Sequence, residues 1–180
     1  MKKIFQIPGK SDTRGRFTTL LRPHLDGLYQ LAYRFCQNRD DAEDLVQDLL
    51  IKVYPRLDEM ESIENLKSWL ATVLRRIFLD NLRRYKRSPV HLATEDDVVL
   101  ERLSSDSDGP AQVSEKSHEI NKLQDALMQL SEDQRVLLVL HDMEGYKLIE
   151  LESMLETPIG TLKSRIHRAR ARLREILGTK

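Results

Sequence analysis

A basic segment near the carboxyl end of the chain has the side chains and the spacing needed to bind a polyanion. The segment GTLKSRIHRARARLREIL covers residues 160–177. Its first fifteen residues contain six Lys or Arg and no acid, although the whole chain balances 29 basic against 29 acidic residues. Its apolar residues fall on one helical stripe: Leu162, Ile166, Ala169, Leu173 and Leu177. The sequence therefore predicts an amphipathic helix whose basic face points outward.

The residues before this helix predict a helix-turn-helix, a motif whose second helix enters the major groove of DNA. A short helix is expected over 147–155, followed by Thr157 as N-cap and Pro158 at the first helical position. The outward residues and their flanks are then candidate DNA contacts: Thr161, Lys163, Ser164, Arg165, His167, Arg168 and Arg172. A basic helix alone could equally be a solvated face, but the turn, the cap and the lack of acids favour DNA.

A second basic segment, LRRIFLDNLRRYKRS over residues 74–88, interleaves cations with aromatic rings. The cations are Arg75, Arg76, Arg83, Arg84, Lys86 and Arg87, and the nearby rings are Trp69, Phe78 and Tyr85. Single-stranded nucleic acid is bound by such combinations, because bases stack on rings while cations meet the backbone. The alternative is that Trp69 and Phe78 are core residues at helical spacing. We favour the core for these two rings and nucleic acid for the arginines.

An acidic stripe precedes both basic segments in the sequence. Asp44, Gln47, Asp48 and Ile51 share one face of a predicted helix. Simple solvation of a helix face explains these residues, and a protein-docking surface explains them equally well. The sequence leaves both interpretations open.

Helical periodicity divides the chain into two helical domains. Apolar residues recur at steps of three and four, and no stretch alternates with period two, so we predict an all-α protein without a sheet. The expected divisions are an N-terminal tail over 1–18, a helical domain over 19–87, an acidic linker over 88–117 and a second helical domain over 118–178. The linker is rich in Ser, Asp and Glu, which predicts solvated chain with one short turn near 98–103.

Capping signals predict where two of the helices begin. Asp40, with Glu43 three residues later, is expected to start a helix that runs to about Leu57. Ser131 and Gln134 form a second capping box. The helix after that box should stop near residue 145, a glycine suited to the position after a helix end.

Nothing in the sequence predicts catalysis. The five histidines are scattered without zinc-ligand spacing, and there is neither a phosphate loop nor a nucleophile elbow. We therefore expect no enzyme activity, no metal site and no cofactor. The single cysteine, Cys36, excludes an internal disulfide and favours a reducing cytoplasm. The longest pure apolar run covers only residues 136–140, so we expect no membrane insertion, and no signal peptide is recognised.

Two stretches on either side of the linker carry familiar motifs. The first is NRDDAEDLVQDLLIKVYPRLDEMESIENLKSWLATVLRRIFLDNLRR, and the second is LSEDQRVLLVLHDMEGYKLIELESMLETPIGTLKSRIHRARARLREIL. They resemble regions 2 and 4 of the extracytoplasmic function (ECF) group of sigma factors, within the sigma-70 family. Together they cover most of residues 20–177 in the expected order. The strongest local signals are DAEDLVQ, SWL and GTLKSRIHRARARL.

The resemblance implies a non-enzymatic specificity subunit of bacterial RNA polymerase. Region 2 would dock on the clamp helices of the core enzyme through Asp44, Gln47 and Asp48. It would also open the promoter −10 element and hold its bases, using Lys67, Arg75, Arg76, Arg83 and Arg84. Region 4 would contact the polymerase flap and read the −35 element with the outward residues of the basic helix. The acidic linker would run toward the RNA exit path, and an anti-sigma factor would hold the protein inactive.

Two departures from the family pattern concern the proposed contacts. Arg76 stands where many relatives carry an asparagine beside the captured −10 base, which affects that pocket and its preference. In the first helix of the region 4 motif, Glu152 or Ser153 replaces the usual small alanine.

Two rival functions are a helix-turn-helix regulator that acts without polymerase, and a protein-interaction module whose basic helix is merely solvated.

Overall fold

The computed structural model describes residues 11–87 and 115–178. Every regular element within these residues is a helix, and none of them forms a strand, which confirms the all-α prediction. The helices are α1 Ser11–Leu21, α2 Leu25–Cys36, α3 Arg39–Val53, α4 Leu57–Met60, α5 Leu66–Arg87, α6 Glu115–Met128, α7 Glu132–Leu138, α8 Leu148–Leu155 and α9 Ile159–Leu177. Turns of 3-10 helix precede α2 and α4, and a π-helical turn, Val139–Met143, follows α7.

Helices α2, α3 and α5 form the core of the N-terminal unit, residues 11–87. Leu28, Leu31 and Phe35 recur on one side of α2 and are buried. The ring of Phe35 stacks on Phe78 of α5, with 5.3 Å between the ring centroids. Because aromatic side chains bury large areas, this stack fixes the middle of α5 against the bundle. Phe78 is therefore a core residue, as the sequence analysis favoured.

Helix α1 starts inside the segment that the sequence assigns to an N-terminal tail. Phe17 and Leu21 are fully buried, and the Phe17 ring meets Tyr54 edge-on at 5.0 Å between centroids. Arg16 adds hydrogen bonds to the carboxylates of Asp58 and Glu61, at 2.9 Å and 2.6 Å. With few apolar residues, the segment gives only a weak periodic signal, so its packing was missed.

The bounds of α3 differ from the prediction at both ends. Asn38, rather than Asp40, is the N-cap: its Oδ1 accepts a hydrogen bond from the Asp41 backbone N–H at 3.1 Å. Asn and Asp are both good caps, so composition alone could not choose between them. At the other end the α-helix stops at Val53, because Pro55 has no backbone N–H to continue the ladder.

The C-terminal unit, residues 115–178, packs α9 against α6, α7 and α8. The predicted capping box is present: the Gln134 N–H donates to the Ser131 hydroxyl, and the Ser131 N–H donates to the Gln134 side chain. The chain continues through the π-helical turn and leaves it at Gly145, whose φ of +77° is a left-handed conformation that glycine adopts readily. The stop predicted near residue 145 is confirmed.

The predicted cap of α9 is wrong. The helix begins at Ile159 with Pro158 in the N-cap position, and no side chain of the cap residue bonds to it. The Thr157 hydroxyl instead donates to the carbonyl of Leu155, at 2.9 Å. Thr157 therefore belongs to the end of α8, because its hydroxyl bonds back to that helix.

Most of the predicted linker, residues 88–114, lies outside the described residues, and so does the short turn expected near 98–103. Helix α6 begins at Glu115, so helical structure extends a little way into the range that the sequence assigns to the linker.

The two units pack directly against each other. Helix α5 contacts α8, and α2 contacts both α7 and the π-helical turn. Their buried apolar residues form a single continuous cluster that includes Phe78 from the first unit and Leu151 from the second. The relative placement of the two units is therefore held by apolar burial as well as by charge.

Candidate nucleic-acid interfaces

Helix α9 presents its basic residues to solvent because its apolar stripe is anchored in the core. Leu162 and Ala169 are fully buried and Ile166 nearly so. The residues between them are exposed: Lys163, Ser164, Arg165, His167, Arg168 and Arg172. Thr161 is partly buried at the start of the helix, where its carbonyl accepts the Ser164 hydroxyl at 2.9 Å. The seven residues that the sequence names therefore lie together along one side of the helix.

The cations in the amino-terminal half of α9 are left free of carboxylates. Within the described residues, no acidic side chain pairs with Lys163, Arg165 or Arg168. The Arg168 Nε donates to the Ser164 carbonyl of its own helix at 3.3 Å. Further along, Arg172 pairs with Glu175 at 3.1 Å. The unneutralised charge is thus concentrated in the half of the helix that a recognition helix inserts into DNA.

Two acidic residues outside α9 hold the helix in place. Glu152 of α8 accepts a hydrogen bond from the Ile159 backbone N–H, at 3.1 Å, and so caps α9 from the neighbouring helix. Asp142 of the π-helical turn accepts two hydrogen bonds from Arg170, at 2.9 Å from Nε and 2.5 Å from Nη2. A carboxylate at a helix start also interacts favourably with the helix dipole. Sequence periodicity carries no signal for these contacts.

The basic face of α5 has a different environment. The guanidinium of Arg76 pairs with Glu156 of the C-terminal unit at 2.6 Å. The Lys67 ammonium lies 5.8 Å from the centroid of the Tyr146 ring. Arg75 is about half-buried, and this burial lowers its pKa from the usual value. Two of the five residues predicted to contact the −10 element, Lys67 and Arg76, therefore contact the other unit, although both side chains stay exposed.

The two remaining predicted contacts on α5 lie beyond the covered area. Arg83 and Arg84 are both exposed in the last turns of the helix. Arg83 pairs only with Asp80 of its own helix, at 3.4 Å. This short-range pair is exposed and therefore weak, so Arg83 remains accessible to a polyanion.

Further ion pairs join the units on either side of Arg76. Lys86 of α5 pairs with Glu132 of α7 at 2.9 Å, and Arg34 of α2 pairs with Glu144. Burial alone would raise the pKa of Glu132. The hydrogen bond from Lys86, a backbone N–H and the charges of Lys86 and Arg135 outweigh burial, so this pKa lies below its usual value. Glu132 is therefore held in its charged form.

A buried arginine underlies the same contact. Arg135 of α7 is only 5% exposed, and its guanidinium lies 5.9 Å from the centroid of the Phe78 ring. Burial lowers the pKa of Arg135, and its Nη1 contacts the sulfur of Met128. Its Nε has no hydrogen-bond partner within the described structure. An arginine held this way ties the two units together through the face of an aromatic ring.

The acidic stripe on α3 lies on open surface. Asp44 and Gln47 are exposed, and Asp48 accepts a hydrogen bond from the Asn81 side chain at 3.0 Å. Ile51, at the carboxyl end of the stripe, is 71% exposed, the largest value among the exposed large apolar residues. The stripe therefore combines two acids, an amide and an exposed apolar side chain on one open face of α3.

Trp69 is less buried than a core position requires. Its ring is partly exposed at the edge of the bundle, although it packs against the core cluster. The Arg56 guanidinium lies 4.8 Å from the centroid of that ring. The core interpretation therefore holds only in part for Trp69, because its side chain stays partly exposed.

Metal ligands and membrane segments give no further candidate. Within residues 11–87 and 115–178 there is no group of three or more His, Cys, Asp or Glu able to hold a metal ion. His141 hydrogen-bonds the Tyr146 carbonyl through Nδ1 at 2.8 Å, so it serves the turn after α7. None of the described helices is both long and apolar enough to cross a membrane.

Comparisons with known proteins identify the family. Residues 20–88 match Sigma-70 region 2, and residues 120–173 match Sigma-70, region 4. The ECF RNA polymerase sigma factor SigM of Mycobacterium tuberculosis is 34% identical over 165 residues, which cover 92% of this chain and 79% of that protein. The chain belongs to the ECF RNA polymerase sigma factors. The rival interpretations fail because neither a stand-alone regulator nor an interaction module accounts for region 2.

A second relative and one solved structure support the same assignment. SigE of Mycolicibacterium smegmatis, an ECF RNA polymerase sigma factor, is 33% identical over 174 residues, covering 97% of this chain and 66% of that protein. The sigma factor RpoE of Bartonella quintana, solved in complex with the anti-sigma factor NepR, is 35% identical with a TM-score of 0.70. That match covers 90% of this chain and 96% of the solved one.

The structure explains one of the two departures of this sigma factor from the family pattern. Glu152, at or beside the position of the usual alanine, caps the recognition helix of region 4, since its carboxylate accepts the first N–H of α9. The other departure, Arg76, places a cation of region 2 against Glu156 in the turn of the helix-turn-helix. That ion pair joins region 2 to region 4.

Proposed function

We propose that this sigma factor brings core RNA polymerase to promoters whose −35 element is read by α9 and whose −10 element is opened by α5. The observation that carries the proposal is the exposed basic face of α9, free of carboxylate partners in its amino-terminal half. Since polymerase performs the chemistry, the contribution of this chain is recognition, and its place of action is the cytoplasm, where the chromosome lies.

Region 4 would read sequence with the first half of α9. Lys163, Ser164, His167 and Arg168 are exposed where a recognition helix meets base edges. Arginine and lysine donate to guanine in the major groove, and serine bonds to either base type. Arg172 lies further along and would bind phosphate, which positions the helix without reading sequence. Thr161 and Arg165 would flank these contacts at the groove edge.

Region 2 would hold the opened −10 element on the basic face of α5. Lys67, Arg76, Arg83 and Arg84 supply exposed charge for the backbone of a single strand, and the partly exposed ring of Trp69 would supply a surface for stacking. Arg75, half-buried beneath them, would support the face more than contact the strand. The cation at Arg76, in place of an asparagine, would favour phosphate contact over base capture.

The stripe on α3 would dock on the clamp helices of the polymerase. Asp44, Gln47 and Asp48 precede the exposed Ile51 on the same face of α3, so the surface offers both polar and apolar contacts. Interfaces of this kind gain affinity from the apolar contacts, while the charges steer association and set specificity.

An anti-sigma factor is the expected inhibitor. The similar RpoE of Bartonella quintana was solved with the anti-sigma factor NepR, and we propose an inhibitor of that kind for this chain. Co-purification of the tagged sigma factor from its own host, followed by reconstitution with the candidate inhibitor, would test this. A true inhibitor abolishes promoter-dependent transcription at equimolar amounts.

Run-off transcription with purified core polymerase tests the central proposal. Templates drawn from a random promoter library are transcribed by core enzyme with and without this chain, and enriched templates are sequenced. A sigma factor gives transcripts that start at defined sites and share −10 and −35 elements. If the chain binds such templates equally well without polymerase and yields no transcript, it acts as a stand-alone regulator and the proposal is wrong.

A further inference from the structure

Region 4 covers part of the basic face of α5 in this structure. We propose that, in the free protein, the acidic surface of region 4 occupies the site on region 2 that binds single-stranded −10 DNA, so the two compete. Three region 4 acids form this surface, Glu132, Glu144 and Glu156, together with Tyr146. The inference rests on the proposed −10 role of α5 and adds a built-in competitor to it.

The direction of charge across the contact supports this mimicry. Three ion pairs join the regions in the described structure, Arg34–Glu144, Arg76–Glu156 and Lys86–Glu132. In each pair the base belongs to region 2 and the acid to region 4. On α5 the carboxylates satisfy the charges of Arg76 and Lys86 as DNA phosphates would, and the pair with Arg34 of α2 anchors region 4 beside them. Carboxylate and phosphate cannot occupy one guanidinium face together.

The backbone around these acids is shaped for the contact. Glu156 has a φ of +50°, a left-handed conformation in which Gly or Asn is easier to accommodate. Its exposed carboxylate nevertheless reaches Arg76 from this turn. The π-helical turn brings Glu144 and Tyr146 toward region 2, through hydrogen bonds to the Val139 and Leu140 carbonyls. Such turns recur at functional sites, where they redirect side chains.

The contact is weak enough to open. The side chains of Arg76 and Glu156 are 55% and 75% exposed, and such pairs add little stability and are screened by salt. Buried apolar residues beneath them keep the regions together until a stronger partner arrives. A partner that binds the two regions only when they are apart would supply that free energy, because it binds the open state more tightly than the closed one. The surfaces of α3 and α9 are exposed in the closed state, so polymerase and DNA can make their first contacts there.

A charge-matched pair of variants tests the competition in the full-length chain. Glu144→Gln with Glu156→Asn removes two acids from the contact, and Asn tolerates the left-handed position 156. Glu119→Gln with Asp125→Asn removes two exposed acids from α6, so net charge changes equally. The probe is a fluorescent single-stranded oligonucleotide carrying the non-template −10 element of a promoter that the holoenzyme transcribes.

The contact variant should bind this oligonucleotide about three- to tenfold more tightly than the wild-type chain, as expected from losing one exposed pair and one partly buried pair. Its radius of gyration in X-ray scattering should also increase, while the α6 variant stays compact and gains much less affinity. Equal gains by both variants, or no gain by the contact variant, would overturn the inference. Loss of run-off transcription by wild-type chain would instead refute the proposed function, so the two failures are distinguishable.

Discussion

Two basic helices of this sigma factor look alike in sequence and differ in structure. The cations in the first half of α9 face solvent, with no carboxylate partner in the described residues. On α5, Arg76 pairs with Glu156 of region 4, and Arg75 is about half-buried. Both helices are rich in arginine and poor in acid, yet the middle of α5 is partly occupied by region 4, while its last turns and the first half of α9 stay exposed.

The difference shows that a basic face is defined by what packs over it. The apolar stripe of α9 is fully used within region 4, so its outer face has no second neighbour. Helix α5 spans the junction of the two regions and buries apolar residues toward both. Charge on α5 therefore takes part in the contact between the regions. On α9, Arg170 pairs with Asp142 inside region 4, and the cations of the first half are left exposed.

The largest expected effect separates these roles by stability. Phe78→Ala in α5 removes a ring that stacks on Phe35 and lies under Arg135, and should lower the free energy of unfolding by about 3–5 kcal/mol. Arg168→Ala on the open face of α9 should change it by less than about 0.5 kcal/mol. Urea unfolding measured by circular dichroism checks both. A similar loss of unfolding free energy in the two variants would contradict the proposed difference between α5 and α9.

A smaller effect concerns how α9 reads DNA. Arg168→Ala should weaken binding to the preferred −35 sequence by about 1–3 kcal/mol, because it removes a base contact. The difference in affinity between the preferred and altered −35 sequences should therefore become smaller. Arg172→Ala is the matched control on the same helix. It should weaken all sequences alike and lower the slope of log affinity against log salt by about one unit, because it removes a phosphate contact.

Binding of the holoenzyme to matched and altered −35 elements, across a salt series, measures both variants. Equal losses on every sequence would show that Arg168 and Arg172 play the same role. If neither variant loses affinity, the open face of α9 is merely solvated and does not differ from α5 in binding DNA.

The stripe on α3 is a third charged surface, open like that of α9 but acidic. Asp44→Lys should weaken binding to core polymerase about tenfold or more without affecting the fold, since Asp44 is exposed. It is a cleaner probe than Asp48, which accepts a hydrogen bond from Asn81. Asp26→Lys, the same charge change at an exposed position of α2, is the control. If both variants bind the core enzyme equally well, the stripe does not dock there.

The sequence predicts what depends on neighbours along the chain. Periodicity identifies the apolar stripe of α9 and hence its outward residues, and the Ser131–Gln134 capping box is visible because both partners lie in one turn. The α3 stripe is likewise correct as an exposed face. These features need only local spacing, so one sequence is enough to derive them.

Contacts between distant residues were missed for the opposite reason. Arg76 and Glu156 are 80 positions apart, and Arg34 and Glu144 are 110 apart. Neither pair leaves a periodic trace, so the covering of α5 by region 4 could not be foreseen. The prediction of Asp40 as the N-cap of α3 was wrong for a different reason, because Asn38, an equally good cap, lies two residues earlier.

The smallest expected effect tests how the open helix is held. Glu152 accepts the Ile159 N–H from the neighbouring helix, while Thr157, the cap expected from sequence, bonds back to Leu155. Glu152→Ala should therefore lower stability by about 0.5–2 kcal/mol, the usual loss when a helix cap is removed. Thr157→Val should cost less, because α9 does not depend on its hydroxyl.

Hydrogen exchange gives the sharper readout of this last prediction. Removing the Glu152 carboxylate should speed exchange of the first amides of α9, while the middle of the helix around Ile166 stays protected by burial. Glu175→Ala, near the far end of α9, is a control that should leave those first amides unchanged. If Thr157→Val speeds their exchange more than Glu152→Ala does, the cap comes from the turn after all. The contribution of α8 to holding the recognition helix would then be packing alone and not a cap.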